Sequence, residues 1–201
     1  MNASILAHKK VVLGVSGSIA AFKAVSLMRL CQAKQADVHV LMTENATRFI
    51  GTLTFASISG HRVITNLWDE AEQGDIAHVH AGKQADVIAI APTTADTLAR
   101  LATGRANDAL SATVLSSKAP LVIAPAMETS MWEQPITQAH VQKLIQNRGA
   151  RFVWPTDGAL ASGASGMGRM AELDEILCEI EAACCTQDLV NEVLLITGGG
   201  T

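Results

Sequence analysis

The residues whose types and spacing best suit chemistry lie at Gly14-Val15-Ser16-Gly17-Ser18-Ile19. A β-branched-rich run, Val11, Val12, Leu13 and Val15, passes there into small residues. Ile19, Phe22, Leu27 and Leu30 then follow on a helical pattern. A helix that starts among small residues leaves backbone N–H groups free, and its dipole adds positive potential at that end. Gly17 and Ser18 are therefore expected to open a helix that holds a phosphate. A P-loop would end its turn in Gly-Lys-Ser/Thr, whereas Ser18 is followed by Ile19. The dinucleotide fingerprint needs three glycines, and only Gly14 and Gly17 are present. The second strand runs through Val38, Val40, Leu41 and Met42 into Thr43, with no acid to bind a ribose. These features favour a mononucleotide such as FMN over NAD. The alternative is a tight strand-to-helix turn that binds nothing.

Composition narrows the setting. A chain of 201 residues, 49% apolar and 17% charged, suits one α/β domain with a sizeable core. A net charge of -4 without a basic stripe argues against nucleic acid. No apolar run approaches a membrane span, and the start MNASILAHKK is too short in apolar residues for a signal peptide. Cys31, Cys178, Cys184 and Cys185 show no C-x-x-C spacing and read as reduced cytosolic thiols, so a cytoplasmic location is expected. His78 and His80 are too close together and too isolated for a metal site, and no metal is expected.

The chemistry must be positioned by alternating elements. Strands are expected at Val11–Val15, Val38–Met42, Val87–Ala91, Leu121–Ala124 and Phe152–Trp154. Helices are expected at Ser18–Ala33, Thr93–Thr103, Asp108–Ser117, Pro135–Asn147 and Leu173–Cys184. Hydrophobic strands alternating with helices imply a doubly wound, Rossmann-like or flavodoxin-like parallel sheet covered on both faces. Ligands of such sheets sit beyond the carboxyl ends of the strands. The polar and special residues collect after those ends: Ser16 to Ser18, Thr43, Ala91 to Thr97, Pro125 to Trp132 and Gly158 to Met170. Thr93 or Thr94 is placed to cap the following helix. Residues 1–185 read as one domain. Thr186 to Asn191 reads as a linker, and Glu192 to Thr197 as a further strand before Gly198-Gly199-Gly200-Thr201, as though a second nucleotide-binding unit opened in 186–201. A flexible tail is the other reading of that end.

Several motifs in this order resemble the homo-oligomeric flavin-containing cysteine decarboxylases, over about Lys9 to Ala183. They are GVSGSIAAFK, HVHAGKQADVIAIAPTTADTLARLATGRANDAL from His78 to Leu110, PAMETSMW, and the glycine loop ending Gly168-Arg169-Met170. Within the family the likeness is to phosphopantothenoylcysteine decarboxylase domains of bifunctional coenzyme A biosynthesis enzymes, and VLLITGGGT resembles the start of their synthetase half. The resemblance implies FMN with its phosphate on Gly17, Ser18 and Ile19. It implies that Thr43 and the loop Pro92, Thr93, Thr94 and Ala95 hold the ribityl chain and ring, with the Ala126-Met127 backbone beside the flavin. It further implies a catalytic His78, a flexible clamp at Gly158 to Arg169, a small-molecule substrate, and a homotrimer or trimer-based dodecamer with the flavin near a subunit interface. The implied reaction takes a hydride from the substrate carbon bearing sulfur. The resulting thioaldehyde lets carbon dioxide depart and leaves an enethiol, with a histidine suited to take the thiol proton near neutral pH; in the coenzyme A enzymes the reduced flavin then returns the hydride and a clamp cysteine donates a proton.

Two positions depart from the family pattern. The motif asparagine is Glu128, which cannot donate a hydrogen bond to the substrate carboxylate when ionised. The clamp cysteine aligns with Ser162, a far weaker acid than a thiol. The expected activity is decarboxylation of 4'-phosphopantothenoylcysteine to 4'-phosphopantetheine, with His78, Glu128 and Ser162 as the catalytic set. Oxidative decarboxylation of a peptide C-terminal cysteine fits Ser162. A non-catalytic FMN-binding regulatory subunit fits both departures.

Overall fold

Hydrophobic runs at Lys10–Val15 (β1), Asp37–Met42 (β2), Val87–Thr93 (β3), Leu121–Pro125 (β4) and Arg151–Phe152 (β5) pair in parallel in the order β2-β1-β3-β4-β5. This is the flavodoxin-like strand order, whose direction of winding reverses between β1 and β3. The computed structural model describes residues 4–68 and 76–185. The expected linker and strand in 186–201 therefore lie outside the described residues.

Alternation along the strands divides the core into two faces. Val11, Leu13, Val38, Val40, Val87 and Ala89 pack against helices Ala21–Ala33 (α1) and Leu173–Cys184 (α9) and against Phe55 of Thr52–Ser59 (α3). Val12, Ile88, Ile90, Leu121 and Ile123 pack on the other face. They meet Ala77–Gln84 (α4), Ala95–Thr103 (α5), Ala109–Ser116 (α6) and Pro135–Arg148 (α8). With both faces covered, the central strands are continuously apolar, as a buried parallel sheet requires. Among the described residues no helix is long and apolar enough to cross a membrane.

Several elements differ from the sequence-based expectation. The first helix starts at Ala21 rather than Ser18, because Ser18 forms a turn that accepts the Ala21 N–H (2.9 Å) and, through its hydroxyl, the Ala20 N–H (3.3 Å). The fifth strand is Arg151–Phe152, not Phe152–Trp154. Short helices Glu44–Thr47 (α2) and Thr129–Trp132 (α7) begin directly after the polar residues at two strand ends. The glycine-rich stretch is not irregular: Thr156–Ala159 (β6) and Ser165–Arg169 (β7) form an antiparallel hairpin. His78 lies in the first turn of α4, a helix not expected from the sequence.

Candidate active site

Two adjoining cavities occupy the carboxyl rim of the sheet at the β1/β3 reversal. The larger, about 570 Å³, is lined by Gly17, Ser18 and Ile19 after β1, by Thr43 and Asn45 after β2, by Thr94 and Ala95 after β3, and by Ala126 and Met127 after β4. Buried Ser16 binds two of these loops together. Its hydroxyl donates to the Pro92 carbonyl (2.8 Å) and accepts the Thr94 N–H (2.9 Å). The Thr43 N–H donates to the Val15 carbonyl (3.0 Å), and its hydroxyl caps α2 through the Ala46 N–H (3.2 Å). Thr94 caps α5 in the same way through the Thr97 N–H (3.3 Å). Each threonine satisfies a first-turn donor and holds the strand end against the cavity.

Gly17 is required by space. A Cβ there would stand 2.4 Å from Asn45 Cβ, so the loop after β1 packs flush against α2. Among the described residues the backbone N–H groups of Gly17 and Ile19 have no hydrogen-bond partner. Free N–H groups on a side-chain-poor turn beside a cavity form an anion cradle. Arg100 also lines this cavity, but its guanidinium is committed to Asp96 (2.9 Å) and to Asp108 (2.7 Å), the cap of α6. The Asp96 hydrogen bond is the largest influence holding Arg100 charged above its ordinary range.

The smaller cavity, about 300 Å³, shares Ser18, Ile19, Ala126 and Met127 with the first. The β6–β7 hairpin forms its far wall, with Ala159, Leu160, Ala161, Gly168 and Arg169. The hairpin docks through backbone contact. The Met127 N–H donates to the Gly168 carbonyl (3.0 Å), and a Cβ at Gly168 would stand 2.2 Å from the Met127 carbonyl oxygen. A Cβ at Gly166 would stand 2.6 Å from the Thr129 hydroxyl. The glycines after the fifth strand thus permit close approach to the PAMETSMW segment. Charged groups on this cavity are Lys23, Glu128 and Arg169, whose guanidinium also pairs with Glu172 (2.8 Å).

Gly17, Ser18, Ile19, Thr43, Thr94, Ala95, Ala126 and Met127 thus meet around one cavity, and Glu128 lies on its neighbour. The remaining expectations fall elsewhere. Pro92 and Thr93 are buried inside β3 rather than in a loop, and the Thr93 hydroxyl turns inward to the Ile90 carbonyl (2.7 Å). They support the cavity wall without lining it. Ser162 is exposed at the hairpin tip, where its hydroxyl accepts the Ala164 N–H (3.3 Å). His78 lines neither cavity of its own chain. Its carbonyl accepts the Thr113 hydroxyl (3.1 Å), which places it beside α6 about one and a half turns past Asp108. Its Nδ1 is buried with no partner among the described residues. Asn45, Lys23 and Arg169 were not singled out from sequence. The Thr43-Glu44-Asn45 start, a cap followed by an acid, is the one signal that could have marked Asn45.

A family profile described as Flavoprotein matches residues 2–184. The chain belongs to the flavoprotein family. It is 44% identical over 199 residues, 96% of this chain, to the "Coenzyme A biosynthesis bifunctional protein CoaBC" of Mycobacterium bovis. The chain spans 47% of that relative, about half its length. Among solved structures, a PPC decarboxylase cysteine-to-serine mutant complexed with pantothenoylaminoethenethiol superposes with TM-score 0.75 at 30% identity. That match covers 87% of this chain and 97% of the other. The FMN-dependent cysteine decarboxylase SpaF superposes with TM-score 0.77 at 31% identity, covering 89% and 98%. The flavodoxin-like sheet order and the rim cavities are thus set within a flavoprotein scaffold.

Proposed function

We propose that this chain is the FMN-dependent decarboxylase of 4'-phosphopantothenoylcysteine, forming 4'-phosphopantetheine in coenzyme A biosynthesis in the cytoplasm. The observation that carries the proposal is the pair of joined cavities at one sheet rim, one with an anion cradle and one walled by a glycine hairpin. The cradle fits FMN: the unpartnered N–H groups of Gly17 and Ile19 belong to a turn that lines the cavity, and the lining continues through Thr43 and Thr94 to Ala126 and Met127. Gly17, Ser18 and Ile19 would hold the phosphate, with Thr43, Thr94, Ala95, Ala126 and Met127 along the rest. FMN bound there supplies the two-electron hydride chemistry that makes a cysteine carboxylate able to leave.

The chain's own residues account for the rest. Lys23 and Arg169 give the smaller cavity two cations, which suits a substrate with a carboxylate at one end and a phosphate at the other. Glu128 accepts the substrate's amide N–H. Its charge would oppose the substrate carboxylate, a cost that asparagine at this position would not impose. The hairpin excludes water from the reacting carbon. His78 takes the thiol proton. Since it lines neither cavity of its own chain, it acts from a second copy in a homotrimer or trimer-based dodecamer. Phe49 and Met131, exposed apolar residues on the larger cavity, support a covered mouth. Residues 186–201 would begin the synthetase half of a bifunctional polypeptide.

Ser162, standing where the family carries a clamp cysteine, favours a second reading: oxidative decarboxylation of a peptide C-terminal cysteine. Incubation with phosphopantothenoylcysteine and with a cysteine-terminated peptide, followed by mass spectrometry, separates the two. Loss of carbon dioxide from the phosphorylated substrate supports the proposal. Loss of carbon dioxide and two further hydrogens from the peptide alone supports the second reading, and no mass change in either overturns both.

A further inference from the structure

At the opposite end of the sheet from the flavin cavity, β2 begins with Asp37 and His39, and His61 follows α3. One carboxylate faces both imidazoles: Asp37 Oδ2 lies 3.0 Å from His39 Nε2, and Oδ1 lies 2.7 Å from His61 Nε2. The two rings stack with centroids 4.1 Å apart and planes 16° from parallel, so both Nε2 atoms point the same way. All the candidate donor atoms lie within 4.8 Å of one another. We propose that Asp37, His39 and His61 form a binding site for a divalent transition metal, with zinc as its ion. Two imidazoles and a carboxylate are the donor set of zinc rather than of magnesium or calcium.

The geometry is within reach of that ion. Tetrahedral bonds of about 2.1 Å place neighbouring donors about 3.4 Å apart. The His–Asp contacts open by roughly half an ångström to admit the ion, and the ring-to-ring gap closes from at most 4.8 Å. An imidazole that ligates through Nε2 carries its proton on Nδ1, the tautomer this site would require of both rings. The side chains are 27% (His39), 39% (His61) and 42% (Asp37) exposed, which leaves room for water as a further ligand. A nearby cation, Lys10, has its ammonium engaged by the Gln84 carboxamide. A bound ion would tie β2 to the segment whose Ile64 N–H donates to the Val40 carbonyl (3.0 Å). Along β2, His39 is about 13 Å from Thr43, too far to touch the flavin cavity.

The test is isothermal titration of zinc into untagged protein whose exposed thiols, Cys178 and Cys185, have been alkylated. The expected result is one ion per chain. Affinity should fall tenfold or more in His39→Asn and in His61→Asn, since even lost outer partners of a ligand cost about 10- to 100-fold. Zinc should raise the unfolding midpoint of the parent chain but not of these variants, and carbon dioxide release should be unchanged in His61→Asn. As a readout without variants, zinc-soaked crystals should show an anomalous peak among the three side chains. Saturation without binding, unaltered affinity in both variants, or a peak elsewhere overturns the site.

Discussion

Substitution of Gly168 by alanine tests whether the hairpin completes the substrate cavity without serving the flavin cavity. The added Cβ would stand 2.2 Å from the Met127 carbonyl oxygen, about 1 Å inside ordinary contact, and the obstacle is backbone rather than a flexible side chain. The hairpin must retreat by about that much. The Met127 N–H···O=C Gly168 bond, now 3.0 Å, then exceeds hydrogen-bond range. Losing it costs about 1 kcal/mol, and forced overpacking adds about 1–3 kcal/mol, for roughly 2–4 kcal/mol against the docked state. If all of that falls on docking, kcat/KM for phosphopantothenoylcysteine drops about 30- to 800-fold. No residue of the hairpin lines the larger cavity, so the FMN dissociation constant should change less than about threefold. Carbon dioxide release kinetics and quenching of FMN fluorescence measure the two quantities. Unchanged kcat/KM, or FMN affinity falling in parallel with it, would refute the reasoning.

Further expectations concern single side chains. His78→Asn should retain FMN yet lose at least about a hundredfold in turnover, the lower range for a general base, and carbon dioxide release at the parent rate would remove His78 from the reaction. Glu128→Asn exchanges a repelling carboxylate for a donor and should hold or raise kcat. A tenfold fall would show that the carboxylate has its own task. Ser162→Cys places a stronger acid at the hairpin tip and should raise the rate at which 4'-phosphopantetheine forms, read by mass spectrometry, and an unchanged rate would exclude the tip as a proton source. Burial pushes the Cys31 thiol up to about 12 and that of Cys184 up to about 11. With so little thiolate at pH 8, both should resist iodoacetamide while exposed Cys178 and Cys185 react. Rapid labelling of Cys31 would contradict its place in the core.

What the sequence disclosed follows from which elements carry their own signal. The central strands were legible because a parallel sheet buried on both faces demands unbroken apolar runs such as Val87 to Ala91. The helix at Pro135 was legible from its first-turn proline and the Val141, Leu144, Ile145 stripe. The helix holding His78 was not, because AHVHAGKQ offers little apolar periodicity, and Gly82 is set by contact with Thr113 and Ser116. The β6–β7 hairpin was hidden because its glycines answer to a neighbouring backbone rather than to strand propensity. At the site, the glycine turn and capping threonines announce themselves locally. The inward turn of Thr93, the reach of Asn45 and the distance of His78 depend on packing between elements. The meeting of His61 with Asp37 depends on the return of the chain to β2, which no local pattern in the sequence encodes.

The central claim is that loops from separate strands join at one rim to hold FMN on the Gly17-Ser18-Ile19 turn. Its most direct test is the flavin released by acid from the purified protein and from Gly17→Val, whose side chain would start 2.4 Å from Asn45 Cβ and force the turn away from α2. The account predicts one FMN per chain in the parent protein and little or none in the variant. A parent protein that neither carries FMN nor takes it up on incubation, or a variant that retains it in full, would contradict the account.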